Sequence, residues 1–147
     1  MKIYVLGSNA FMHDMVAKKD ELRELGYDAF IHPHYEALVR GEMKEQLERI
    51  AQGEQAAVKR ENDYLRQHYR HILESDAILL VNNTKNGIAN YIGGNVLIEM
   101  GQAYVNDRKI FLLNDIPKRE DFSYTTEIEA MDPICLHGDL KNISSSI

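Results

Sequence analysis

Two unbroken apolar runs, Ala77-Ile78-Leu79-Leu80-Val81 and Ile110-Phe111-Leu112-Leu113, constrain most tightly how this chain can fold. Neither alternates with polar residues, so each suits a strand buried on both faces, as in a parallel sheet covered by helices. Extended slightly, they predict strands over Ala77–Asn82 and Lys109–Leu113, and further short runs predict strands over Lys2–Leu6, Ala29–His32 and Ile134–His137. Between them apolar residues recur at helical spacing. Met12, Met15, Val16, Leu22 and Leu25 share one face that ends at Gly26, and Met43, Leu47, Ile50 and Ala51 share another that ends at Gly53. A third period places Val58, Leu65, Tyr69 and Ile72 inward on one helix from about Ala56 to Glu74. A fourth runs from about Gly94 to Asn106, with Leu97, Ile98 and Gly101 as its inward stripe. Strand and helix alternate, so the expectation is α/β: a doubly wound, Rossmann- or flavodoxin-like parallel sheet of five strands. Residues 1–147 are expected to form a single domain, with a helical insert around 34–53 and a frayed Ser144-Ser145-Ser146 tail.

Composition excludes several classes. A lone cysteine, Cys135, rules out an internal disulfide framework and fits a reducing compartment. No apolar stretch approaches the ~20 residues that span a bilayer, and Met1–Leu6 is too short for a signal peptide. Net charge is −6 with the basic residues scattered, which argues against a nucleic-acid partner. The expectation is a cytoplasmic protein with neither a nucleic-acid nor a membrane partner.

Ligands of open parallel sheets bind outside the carboxyl ends of the strands. That rule points to Gly7, Ser8 and Asn9, to His32-Pro33-His34 read as a loop, to Asn82 and Asn83, to Asn114-Asp115, and to His137-Gly138-Asp139. Asp76 stands at the opposite end of its strand and suits a capping role. The most informative segment is Tyr91-Ile92-Gly93-Gly94-Asn95-Val96-Leu97-Ile98-Glu99. Two glycines before a helix let backbone N–H groups approach an anion or a sugar hydroxyl, and Glu99 follows within the first turns. Residue chemistry alone leaves two readings open here: a ligand site, or a glycine turn before a buried helix with a merely solvated Glu99. His68 and His71 have a metal-compatible spacing without an evident third ligand, so no metal is expected. Gly7-Ser8-Asn9-Ala10-Phe11 does not match a dinucleotide fingerprint, and no organic cofactor is expected.

Glu99-Met100-Gly101-Gln102-Ala103 resembles the E-x-G-x-A segment of the nucleoside 2-deoxyribosyltransferase superfamily, which includes the deoxynucleoside 5′-monophosphate N-glycosidases. The opening Ile3-Tyr4-Val5-Leu6-Gly7-Ser8 is similar to that family's first strand. Glu74-Ser75-Asp76 before Ala77–Val81 resembles its acidic step into the central strand, and Arg108–Leu113 its following strand. The resemblance covers roughly residues 1–10 and 60–115. It implies a glutamate nucleophile, Glu99, that attacks C1′ of a 2-deoxyribosyl group to give a covalent sugar ester, resolved by water or an acceptor base. It implies that Tyr4 orients the glutamate, and that Ser8 with the amides of Gly93 and Gly94 holds the sugar or a 5′-phosphate. Gly7, Asn82, Asn83, Asn95 and Asn114 complete the expected substrate contacts.

This chain departs from the pattern at Gly93, Asn95 and Val96, where the family carries side-chain ligands, and at Ala10 and Phe11, where the glycosidases carry an arginine. His68 stands where the family has a helix carboxylate. It is the expected proton donor to the leaving base, with Asp63 as the fallback. The expected partner is a nucleoside or nucleotide, in a homo-oligomer whose subunits finish each other's clefts. The rivals are a cytokinin-type nucleotide phosphoribohydrolase and a non-catalytic nucleotide-binding or signalling module.

Overall fold

Alternation along β1 (Lys2–Gly7) divides the interior into two cores. Ile3 and Val5 face one way, onto α1 (Met12–Glu24) through Met15 and Leu22 and onto α2 (Pro33–Val39) through Tyr35 and Leu38. Tyr4 and Leu6 face the other way, onto α5 (Tyr64–Glu74) through Ile72, α6 (Gly94–Val105) through Val96, Met100 and Ala103, and α7 (Thr125–Ala130) through Ile128. The computed structural model describes residues 1–147. Its sheet adds β2 (Asp28–Ile31), β3 (Ala77–Val81), β4 (Lys109–Leu112) and β5 (Ile134–Cys135) in the order β2-β1-β3-β4-β5, every pair parallel. Helices on both faces of an all-parallel five-stranded sheet make the expected doubly wound α/β fold. No helix is long and apolar enough to cross a membrane.

The β2-β1-β3 order sets a topological switch point between β1 and β3, where chain excursions to either face leave a crevice. Gly7 closes β1 opposite Val81. A Cβ on Gly7 would stand 3.0 Å from Met15 Sδ and 3.1 Å from the Val81 carbonyl, so the turn out of β1 accepts no side chain there. Asp76 buttresses the far end of the sheet, its carboxylate accepting the Lys2 amide at 2.8 Å.

Several elements differ from the sequence expectation. The single helix expected from about Ala56 to Glu74 is two: α4 (Gln55–Asn62) and α5, broken by Asp63 in the left-handed region at φ 53°. The break rotates the helical stripe, so Val58 and Ile72 are buried while Leu65 and Tyr69 face out. Pro33 opens α2 at its first turn instead of lying in a loop, and the His32 side chain caps it. The 34–53 insert is thus α2 followed by α3 (Lys44–Ala51), which buries no residue of its own. In α6 the inward stripe is Val96, Glu99, Met100 and Ala103, and Ile98 points outward. Leu140–Ser146 forms a 3-10 helix in place of a frayed tail, its serine hydroxyls donating to carbonyls of Lys141 and Asn142.

Candidate functional site

Glu99 is the carboxylate that the fold places deepest at the switch point. It lies on the buried face of α6, 6% exposed, one and a half turns from the Gly93-Gly94 entry. Burial pushes its pKa up to about 8, and the nearby Lys59 ammonium pulls weakly the other way. In the unliganded protein at neutral pH the carboxyl therefore retains its proton for much of the time.

Tyr4 and His68 stand beside it. Tyr4 is wholly buried in β1, and its hydroxyl lies 2.6 Å from His68 Nδ1. His68 Nδ1 is 3.8 Å from Glu99 Oε1, beyond hydrogen-bond reach. Burial, and then the positive charge that His32, His34, His71 and Lys59 would bring, holds the His68 pKa down at about 3. The His68–Glu99 approach is accordingly between two neutral groups near pH 7, not an ion pair. Burial and the proximity of Glu99 raise the Tyr4 hydroxyl well above its ordinary range, so it keeps its proton.

The cleft over these residues is narrow and opens to solvent, with about 30 Å³ free inside it. Its inner wall carries Gly7, Tyr35, Asn95 and Glu99, with His34 and His68 along one side. Gln46 and Ile50 of α3 and Gln55, Val58 and Lys59 of α4 form the opposite wall. Tyr35 is positioned by donating its hydroxyl to the Gly7 carbonyl at 3.4 Å. A second, wider chamber of about 340 Å³ adjoins the first, and the two share Asn9, Ile50, Gln55, Lys59 and Asn95. It is walled by Ser8, Lys85, Gly93 and Gly94 and contains no carboxylate. Lys85 Nζ donates to Ser8 Oγ at 3.3 Å and sits 4.9 Å from the Tyr91 ring centroid.

No protein-family model, curated protein or solved structure matches this chain. What the site can do follows from its geometry.

Of the residues expected at the site, Gly7, His68, Asn95 and Glu99 line the cleft, Tyr4 lies beneath it, and Ser8, Gly93 and Gly94 line the second chamber. Asn82, Asn83 and Asn114 line neither. They tie the strand ends together: the Asn114 amide donates to Asn82 Oδ1 at 2.9 Å, Asn114 Nδ2 to Asn83 Oδ1 at 3.2 Å, and Asn82 Nδ2 to the Asp115 carbonyl at 2.8 Å. Asp63 is also outside the cleft, on the surface between α4 and α5, where it pairs with Arg66 and Arg70. No three His, Cys, Asp or Glu side chains are arranged to hold a metal ion.

Sequence reasoning missed Lys59, Lys85 and Tyr35. Tyr35 had a usable signal, since it follows the carboxyl end of β2. The lysines had none, because their approach to the chambers depends on how α4 and the 82–93 loop fold back.

Proposed function

We propose that the protein breaks, or transfers across, the N-glycosidic bond of a (deoxy)nucleoside or nucleotide, as in the superfamily that its sequence resembles. The observation that carries this reading is Glu99, a carboxyl buried at the floor of a partly apolar cleft with Tyr4 and His68 beside it. In the ionised form its oxygen attacks C1′, the C1′–N bond breaks, and the base leaves with the bonding electrons. Water or an acceptor base then attacks C1′ of the glycosyl ester, its proton passing to the released base anion, and returns the glutamate. His68 faces the leaving base, and its neutral ring suits it to hydrogen bonding there.

The second chamber favours a phosphorylated substrate. Lys59 and Lys85 border it together with the amino end of α6, and no carboxylate opposes them, although the chain is acidic overall. The two lysines supply positive charge that the absent family arginine would otherwise bring.

Incubation with deoxynucleosides, their 5′-monophosphates and the corresponding ribonucleotides, watched for free base, tests the reading. Release of base from the deoxy substrates, lost in Glu99→Gln, is the expected result. Release only with a 2′-hydroxyl present would assign the phosphoribohydrolase chemistry instead. Binding with no release from any substrate would make the protein a nucleotide-binding module and overturn the catalytic assignment.

A further inference from the structure

The hydrogen bonds around three histidines determine where each ring carries its proton, starting from a backbone carbonyl. Gln67 Nε2 donates to the Asn62 carbonyl at 2.8 Å. The flipped amide would set two acceptor oxygens against each other, so Gln67 Oε1 is the atom facing His32. His32 Nε2, 2.6 Å from that oxygen, must therefore carry hydrogen. His32 Nδ1 is then a bare acceptor, and it receives the His34 backbone N–H at 3.1 Å. It also stands 2.6 Å from His34 Nδ1. Two lone pairs cannot face each other at that distance, so His34 Nδ1 holds the proton and His34 Nε2 is left as an acceptor.

His68 has the opposite tautomer. The wholly buried Tyr4 hydroxyl has His68 Nδ1, at 2.6 Å, as its only hydrogen-bond partner. If Nδ1 donated, the phenolic proton would be buried without an acceptor, so Tyr4 donates and His68 carries its proton on Nε2. Neither Nε2 has a protein partner, yet neither is among the buried atoms left unsatisfied, so both keep access to the space their rings line. The cleft wall thus presents an acceptor from His34 and a donor from His68, on rings whose centroids are 5.6 Å apart in an edge-on arrangement. Burial holds both rings neutral at pH 7, which preserves this polarity.

We propose that this pair selects amino-bearing bases, adenine or cytosine, over their oxo counterparts; the inference rests on the N-glycosidic reading above. His68 is the ring next to Glu99, so it meets the atoms of the base nearest the glycosidic nitrogen. There adenine offers N7 and cytosine N3, both acceptors for the His68 Nε2–H. His34 lies beyond it and meets the exocyclic group. An amino group donates to His34 Nε2, whereas the carbonyl of hypoxanthine or uracil would set a lone pair against a lone pair.

Calorimetric titration of the whole protein with adenine, cytosine, hypoxanthine and uracil decides the matter. Adenine and cytosine are expected to bind about tenfold or more tighter than hypoxanthine and uracil, respectively. Equal affinities, or no binding by any base, would overturn the selectivity, whereas the glycosidic reading falls only if no substrate releases its base. Ring-nitrogen chemical shifts in isotope-labelled protein test the tautomers without a ligand: a protonated His34 Nε2 would also overturn the proposal. In His34→Gln the amide can turn either way, so the amino-to-oxo preference is expected to shrink towards one. An unchanged ratio would sink the assignment to His34.

Discussion

His68 Nδ1 stands 2.6 Å from the Tyr4 hydroxyl and 3.8 Å from the nearer Glu99 oxygen, so the histidine is bonded to the tyrosine and only adjacent to the carboxyl. Tyr4 thereby fixes the His68 ring and leaves Glu99 free of a side-chain hydrogen bond. Tyr4→Phe removes the donor that holds the ring, and base release is expected to fall about tenfold or more while the apolar packing persists. Asp63→Asn, at the surface break between α4 and α5, is expected to leave turnover within about twofold. Steady-state kinetics on the two variants separates the roles. A large loss in the Asp63 variant would restore that residue as a site carboxylate.

Glu99→Gln keeps the shape of the side chain and removes the nucleophile. Base release should drop by about 10³-fold or more, and the thermal transition should rise at neutral pH, because glutamine, unlike Glu99, has no proton to release on unfolding. Unreduced turnover would remove Glu99 from the chemistry.

The raised pKa of Glu99 gives the pH–rate profile its direction. Attack requires the ionised carboxylate, so kcat/KM is expected to rise with pH and level off above about 8. Lys59 lowers that pKa through its charge, so Lys59→Met should move the rising limb to higher pH. A profile flat between pH 6 and 9 would contradict the assignment.

Stability should depend on pH in two opposed ways. His34 and His68 have folded pKa values near 3, below their unfolded values, so the unfolded chain takes up protons first and stability is lost as pH falls from about 6.5 towards 3. Glu99 has a folded pKa near 8, above its unfolded value. Its contribution is fully present below about 4.5 and is lost as pH rises through 8. Two histidines outweigh one glutamate where the windows overlap, so thermal stability is expected to peak at roughly pH 6.5. Melting curves across the range check this, and His34→Gln should flatten the acid limb.

Apolar side chains also remain exposed on two adjoining helices. Leu65, Tyr69 and Leu73 recur every fourth residue on α5, and Ile98, Tyr104 and Val105 project from the adjoining α6, with Val105 74% exposed. We expect a homo-oligomer joined through this surface, close enough to the cleft-lining Leu65 to help wall it. Sedimentation at micromolar concentration should show a species larger than 16.9 kDa, and Ile98→Lys with Val105→Glu should dissociate it. A monomer with undiminished activity on dilution would end that expectation.

The five strands and the alternation of helices were legible because continuous apolar runs leave few alternatives in a chain of this length. The place of Glu99 beside the cleft was legible because the glycine turn fixes where α6 begins. The break at Asp63 was not, since an aspartate in the left-handed region leaves no signal comparable to glycine or proline, and the rotated stripe follows from that break. His34 was read as part of a loop because Pro33 resembles a breaker, although at the first turn of a helix it costs no hydrogen bond. The asparagines at the strand ends looked like ligands, and they satisfy one another and the loop backbone instead.

The place of β1 inside the sheet, between β2 and β3, also sets when the site comes into being. Ile3 pairs with Ala77 and Gly7 with Val81, so the first strand synthesised gains its inner neighbour only after half the chain has emerged. The side chains that later cover Tyr4 and Leu6, from α5, α6 and α7, come after α1 and α2 of the opposite face. Such distant pairing slows folding and leaves apolar strand surface exposed on the nascent chain. Glu99 is out of water only once that second layer has docked, so the onset of its unusual basicity would mark the closing of the layer over β1.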